Sequence, residues 1–98
     1  MENELSEYKI IRTYSAGVFF AKIESRNGKE GVLIDARRIW YWKGAASLSE
    51  LAVRGTNDPL NCKFPIAVKK IVVTEIIEIL DVTMLAEASI KGVPEWEA

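Results

Sequence analysis

The stretch VFFAKIESRNGKEGVLIDARRIWYW, residues 18–42, decides the architecture. β-Branched and aromatic residues fill both halves, and Asn27-Gly28 separates them. Such side chains suit a pleated backbone. An Asn-Gly pair signals a hairpin because a type I′ turn needs positive φ at both central positions. The stretch therefore predicts two antiparallel strands, 18–24 and a return strand that starts near Glu30. The return run is long for one strand, whose usual length is about five or six residues. A bend or bulge near Asp35-Ala36 is expected to interrupt it, or a corner between two strands. In an unbroken strand, Val32, Ile34, Ala36, Arg38, Trp40 and Trp42 share one side, and Leu33, Asp35, Arg37, Ile39 and Tyr41 the other. Val32 and Ile34 are then the core-facing pair, and a bulge would exchange the sides of everything after it.

Outward from this hairpin the pattern stays strand-rich. Residues 8–14 read as a first strand, with residues 1–7 frayed and Ser15-Ala16-Gly17 as its break. Ser47 and Glu50 match a capping box ahead of a helix at 48–54, with Leu48, Leu51 and Ala52 as its apolar stripe and Gly55 as its stop. A polar loop with Pro59 follows. Residues 63–69 and 71–80 read as two more strands with Lys69-Lys70 as the solvated turn between them. Pro65 places the first of these at a sheet edge. The second is apolar on both sides and is expected to be central. Thr83 caps a last short helix, MLAEASI, which Gly92 and Pro94 end. The tail, residues 93–98, carries Trp96, which either folds back onto the sheet or docks on a neighbouring subunit. The expected fold is a single α+β domain over residues 1–98, mainly antiparallel β sheet or a small barrel, with two short helices.

Composition narrows the chemistry. The chain has 98 residues, a formal net charge of −1, 49% hydrophobic and 28% charged residues, no histidine and one cysteine. The charge argues against binding long nucleic acid, which calls for a basic footprint. Without histidine, neither a Cys/His zinc site nor a Ser-His or Cys-His nucleophile pair can be assembled. The lone Cys62 is expected to be a buried small apolar residue, and it excludes an intrachain disulfide, which fits a reducing compartment. No apolar run approaches the roughly 18 residues of a bilayer span, and the acidic Met1-Glu2-Asn3-Glu4 is unlike a secretory leader. The reading is a cytoplasmic protein that is not an enzyme, needs no cofactor or metal, and touches no membrane. An activity resting on Asp, Glu, Tyr or Lys, or on a metal held by carboxylates, is the remaining enzymatic alternative.

Three places could carry recognition. Arg37, Arg38, Trp40, Tyr41 and Trp42 could line a pocket where an indole stacks on a base and a guanidinium forks a phosphate. The plainer reading puts these tryptophans in a core or interface and the arginines in ion pairs. Tyr14 and Ser15, with Thr13 and Gly17, could let a ligand approach the backbone, or form an ordinary tight turn. Ser47 and Ser49 could offer hydroxyls and helix N–H groups to an anion, although the capping box competes for the same donors. Asp35 beside Arg37 reads as a structural ion pair.

The strings DARRIWYWKGAASLSELA, YSAGVFFAKIESRNGKE and NCKF, with the apolar pattern of Ile71 to Leu80, carry a resemblance to a family. Over roughly residues 8–80 the chain resembles a group of small phage- and prophage-encoded proteins of unknown function. The resemblance implies phage origin and a host-cytoplasmic location, and it assigns no residue roles. In that context the expectation is capture of a small anionic nucleotide ligand that signals in host immunity. The alternative is a protein-protein inhibitor or accessory phage component. A homo-oligomer is expected in either case, since so small a sheet with this many aromatics leaves apolar surface to cover.

Overall fold

The computed structural model describes residues 4–97. Five strands, β1 (Leu5–Thr13), β2 (Val18–Asn27), β3 (Glu30–Arg38), β4 (Ala67–Val73) and β5 (Ile76–Thr83), form one antiparallel sheet in the order β4-β3-β2-β1-β5. Two short helices, α1 (Leu48–Arg54) and α2 (Met84–Lys91), complete it, with one 3-10 turn at Pro59–Asn61. The class is α+β as expected, and the sheet is open rather than a barrel.

Its shape follows from one connection. β4 and β5 are opposite edges of the sheet, yet only Thr74 and Glu75 join them. Four strand spacings of a flat sheet separate its edges by about 19 Å, whereas the three peptide steps from Val73 to Ile76 reach about 11 Å. The sheet must therefore coil until its edges converge at that end. Convergence is visible where Ile76 N–H donates to Lys29 O at 2.9 Å and Tyr14 N–H to Glu75 O at 2.9 Å. Gly31 permits the approach: a Cβ there would sit 2.8 Å from Ile76 Cδ1. β4 and β5 nevertheless share no ladder.

Coiling gives the sheet two buried faces. On one, Ile10 and Phe20 pack with Leu51 and Ala52 of α1, Ala86 and Ile90 of α2, and Phe64. On the other, Ile11, Phe19, Ala21, Leu33, Ala36, Val73 and Ile76 form a cluster to which no helix contributes. The curl alone seals it, and Ile11, Phe19 and Leu33 are fully buried.

Several local expectations hold and several shift. Ser47 Oγ accepts from Glu50 N–H, Thr83 Oγ1 accepts from Ala86 N–H, and Gly55 and Gly92 end the two helices. Glu50 returns its carboxylate to Ala46 N–H, one residue before the cap. The hairpin loop is Gly28-Lys29, one residue later than expected. Asn27 pairs with Glu30, and Gly28 alone has positive φ, 62°, the pattern of a II′ rather than a I′ turn. The bulge near Asp35 is present. Arg37 pairs with Phe20 and Ile34 with Lys22, so one extra β3 residue lies opposite Ala21, and Asp35 has φ 51°.

Because the side chains change faces at this bulge, Leu33 and Ala36 share the inner cluster. Val32 and Ile34, expected as the core pair, are half-buried on the other side. The regular strand ends at Arg38, although its ladder resumes in the same register at Tyr41, which bridges Lys63.

Lys69 and Lys70 lie within β4 rather than in a turn; the turn is Thr74-Glu75. β5, expected to be central, is an edge strand, and its apolar residues on both sides serve the two clusters. β1 begins at Leu5, inside the segment expected to be frayed, while residues 1–3 and Ala98 lie outside the described residues. Asp35 pairs with Lys22 at 3.3 Å, not with Arg37. Cys62 is buried as expected.

Candidate binding surface

Strand alternation sends the two arginines to opposite faces of the sheet. Arg37, opposite Phe20, turns toward the helices, and Arg38, opposite Phe19, turns to the curled side. The Arg37 guanidinium is spent on the backbone. Nε donates to Pro65 O at 3.1 Å, Nη1 to Ile90 O at 3.1 Å, and Nη2 to Phe64 O at 3.0 Å and Val93 O at 2.8 Å. These bonds fasten the segment before β4 and the end of α2 to β3. Burial lowers the Arg37 pKa, and the charges of Glu95 and Cys62 oppose that shift. Four of its five N–H donors are thereby taken, so it cannot offer a phosphate a free fork.

Arg38 has no hydrogen-bond or ion-pair partner among the described residues. Its guanidinium lies 4.6 Å from the Phe19 ring centroid, beside Gly17 of the β1–β2 turn. Tyr14 in that turn is 77% exposed, and Ser15 Oγ donates to the Glu75 carboxylate at 2.6 Å. The structure thus brings Arg38 close to the Tyr14–Ser15 turn. Ser47 is committed to its cap and Ser49 is exposed on α1.

The three aromatics after Arg38 part company. Trp42 packs against the helix-side core and donates its indole N–H to Ala45 O at 3.2 Å. Trp40 is 65% exposed and Tyr41 47%. Trp40 N–H and Tyr41 N–H both donate to Lys63 O. The tail then returns: Glu95 bridges Phe64 in parallel, and Trp96 N–H donates to Phe64 O at 3.0 Å. Lys63 Nζ consequently lies 5.8 Å from the Tyr41 ring centroid and 5.5 Å from that of Trp96. Trp96 is itself 40% exposed. Lys63 thus joins the exposed rings of Tyr41 and Trp96 in the segment before β4, and the exposed Trp40, next to Tyr41 in the chain, is tied to Lys63 O through its backbone.

A second feature is a cleft of about 360 Å³ lined by residues that include Tyr8, Phe20, Asp35, Arg37, Lys91 and Glu95. Tyr8 stacks on Phe20 with centroids 4.5 Å apart and planes at 10°. Lys91 Nζ sits 4.3 Å and Lys22 Nζ 5.6 Å from the Tyr8 centroid. Lys91 also pairs with Glu87 at 2.7 Å, which holds the Glu87 carboxyl below and the Lys91 amine above its ordinary pKa; the Ser6 hydroxyl helps lower the former. Sequence reading missed Tyr8 and Lys91. An alternating strand and a terminal helical lysine carry no local sign that they meet, and only the α2–β1 packing brings them together.

Fold and surface define a small α+β protein on an open, curled antiparallel sheet, with Tyr41 and Trp96 exposed beside Lys63 before β4 and Tyr14 exposed in the β1–β2 turn. The chain belongs to the family described as a domain of unknown function, DUF6948, which it matches over residues 6–90. No curated protein and no solved structure matches it. Among the described residues, no helix is long and apolar enough to cross a membrane.

Proposed function

We propose that this chain is a binding protein, not an enzyme, and that its working surface is the Trp40–Tyr41–Trp96 patch, which captures a protein partner. The observation that carries the reading is the exposure of three large aromatics held together by Lys63 and backbone bonds. Tyrosine and tryptophan dominate the few residues that supply most interface energy, because each removes a large rigid surface from water at small entropic cost. The resemblance to phage and prophage proteins favours a host protein as that partner. Comparing what is retained from host lysate by the wild type and by Trp40→Ala/Trp96→Ala tests this. A stoichiometric partner kept by the first, lost by an equally folded second, and rebinding in purified form supports it. Equal retention by both, or self-association through the patch in light scattering, overturns it.

The cleft favours a second reading, capture of a nucleotide-type anion. Its volume lies within the usual range of small-ligand sites, about 300–1,000 Å³, and Lys91 beside Tyr8 offers a cation next to a ring. This reading uses Arg37 as a fixed charge rather than a phosphate fork. Heating purified protein and chromatographing the released material against a nucleotide panel tests it. Unaltered nucleotide, reduced at least tenfold by Tyr8→Ala and Lys91→Ala, supports it, and none from wild type overturns it.

A further inference from the structure

The free edge of β4 carries an inference of its own, independent of both readings above. Register pairs between β3 and β4 run unbroken in phase from Gly31–Val73 to Arg37–Ala67, and the Tyr41–Lys63 bridge keeps the same phase. Lys63 exchanges both backbone bonds with Tyr41. In an antiparallel ladder such exchanging pairs alternate with residues whose backbone groups face away. Phe64 is the next residue, and its outward carbonyl receives Trp96 N–H. By the same alternation, Ile66, Val68, Lys70 and Val72 point their N–H and C=O groups to the free side, where among the described residues no strand pairs with β4.

That edge is also the most exposed strand of the sheet. Ile66, Val68 and Val72 are exposed large apolar residues, and Lys69 and Lys70 lie between them. Lys70 pairs with Glu24 at 3.2 Å, and Lys69 has no partner among the described residues. What the edge accepts is visible at its start. In the segment just before β4, the chain's own Glu95 makes a single parallel bridge to Phe64, within Glu95-Trp96-Glu97, an aromatic between two acids beside Lys63.

We infer that the β4 edge is a strand-addition site for an extended acidic segment of a partner protein, with carboxylates alternating with apolar residues. Main-chain bonds to residues 66, 68, 70 and 72 would hold it, its carboxylates all on the face of Lys69 and its apolar residues along Val68 and Val72 on the other face. A second copy of the chain fits less well, because antiparallel β4–β4 pairing sets lysines against lysines.

The probe is a synthetic peptide, Glu-Val-Glu-Trp-Glu-Val-Glu, set against its counterpart with lysine at every glutamate. Titration calorimetry and amide hydrogen exchange on the full chain are the measurements. The acidic peptide is expected to bind, to protect the amides of Ile66, Val68, Lys70 and Val72 selectively, and to weaken as salt rises. Lys69→Glu is expected to weaken binding about tenfold by replacing attraction with repulsion. Val68→Pro removes one outward N–H while leaving the β3 ladder its own bonds, and is expected to abolish protection at the edge. Equal binding of both peptides, protection elsewhere in the molecule, no binding at millimolar peptide, or protection of β4 by dimerisation of the chain itself would each overturn the inference.

Discussion

Arg37 and Trp40 stand three residues apart, and the fold uses them in opposite ways. Arg37 is locked by four carbonyls from two separate stretches of chain, whereas Trp40 spends its backbone N–H on Lys63 O and leaves its indole in solvent. The contrast teaches that charge does not mark the available surface in this protein. A guanidinium half-buried under the end of α2 works as a fastener, and the ring of Trp40 is left exposed.

The sharpest way to break that contrast is to remove the fastener. Arg37→Ala takes the guanidinium donors from the carbonyls of Pro65 and Val93, while Phe64 O keeps Trp96 N–H and Ile90 O keeps Val93 N–H; lost charged hydrogen bonds cost about 1.5–3 kcal/mol each before relaxation. A net loss of about 3 kcal/mol is expected, read as a fall in denaturation midpoint with unchanged m-value. A loss below about 1 kcal/mol would mean the clasp is incidental.

Gly31→Ala tests the curl that seals the inner cluster. Its Cβ meets only the end of the Ile76 side chain, so a cost of about 1–2 kcal/mol is expected. Combining it with Ile76→Val should recover part of that loss, and additive losses in the double variant would contradict the contact. Thr83→Ala removes the α2 cap and a bond to Val53 O at 2.7 Å, and is expected to cost about 1 kcal/mol.

Smaller still is the pH dependence of the Glu87–Lys91 pair. The folded pKa of Glu87 is depressed from 4.5, so its contribution is present above that value and is lost as pH falls through the folded-state value below it. That of Lys91 is raised from 10.5, so its contribution is full below that pH and lost as pH rises beyond it. Lys91 is exposed and Glu87 partly covered, and with solvent screening the lysine the effect is a few tenths of a kcal/mol. Glu87→Gln should flatten the acid limb of stability against pH. The least effect belongs to Trp40→Ala. Its stability change should stay within about 0.5 kcal/mol, and a larger loss in thermal unfolding would show that Trp40 is part of the core after all.

Legibility in the sequence followed how far each signal reaches. The caps at Ser47 and Thr83 and the stops at Gly55 and Gly92 depend on bonds within about four residues, and all were readable. The interruption at Asp35 was readable as too long a strand. The faces of Val32, Ile34 and Leu33 were not, because the bulge reverses them and a second register shift lies between Ile23 and Ser25 of β2. The run from Ile71 to Leu80 looked central because it is apolar on both sides, but that pattern also suits an edge strand that feeds two clusters. Of the residues singled out for binding, Tyr14, Trp40 and Tyr41 are exposed. Arg37, Arg38, Ser47 and Ser49 were dispersed by strand alternation and by the separate position of α1.

What the sequence determined by itself is the list of elements, their class and most of their ends, since backbone preference, caps and turn glycines act over a few neighbouring residues. The tertiary structure alone decided which arginine is spent, which indole is exposed and which strand edge is left open. Those outcomes depend on register and on a two-residue link that pulls the sheet's edges together, and no short window of sequence carries that geometry.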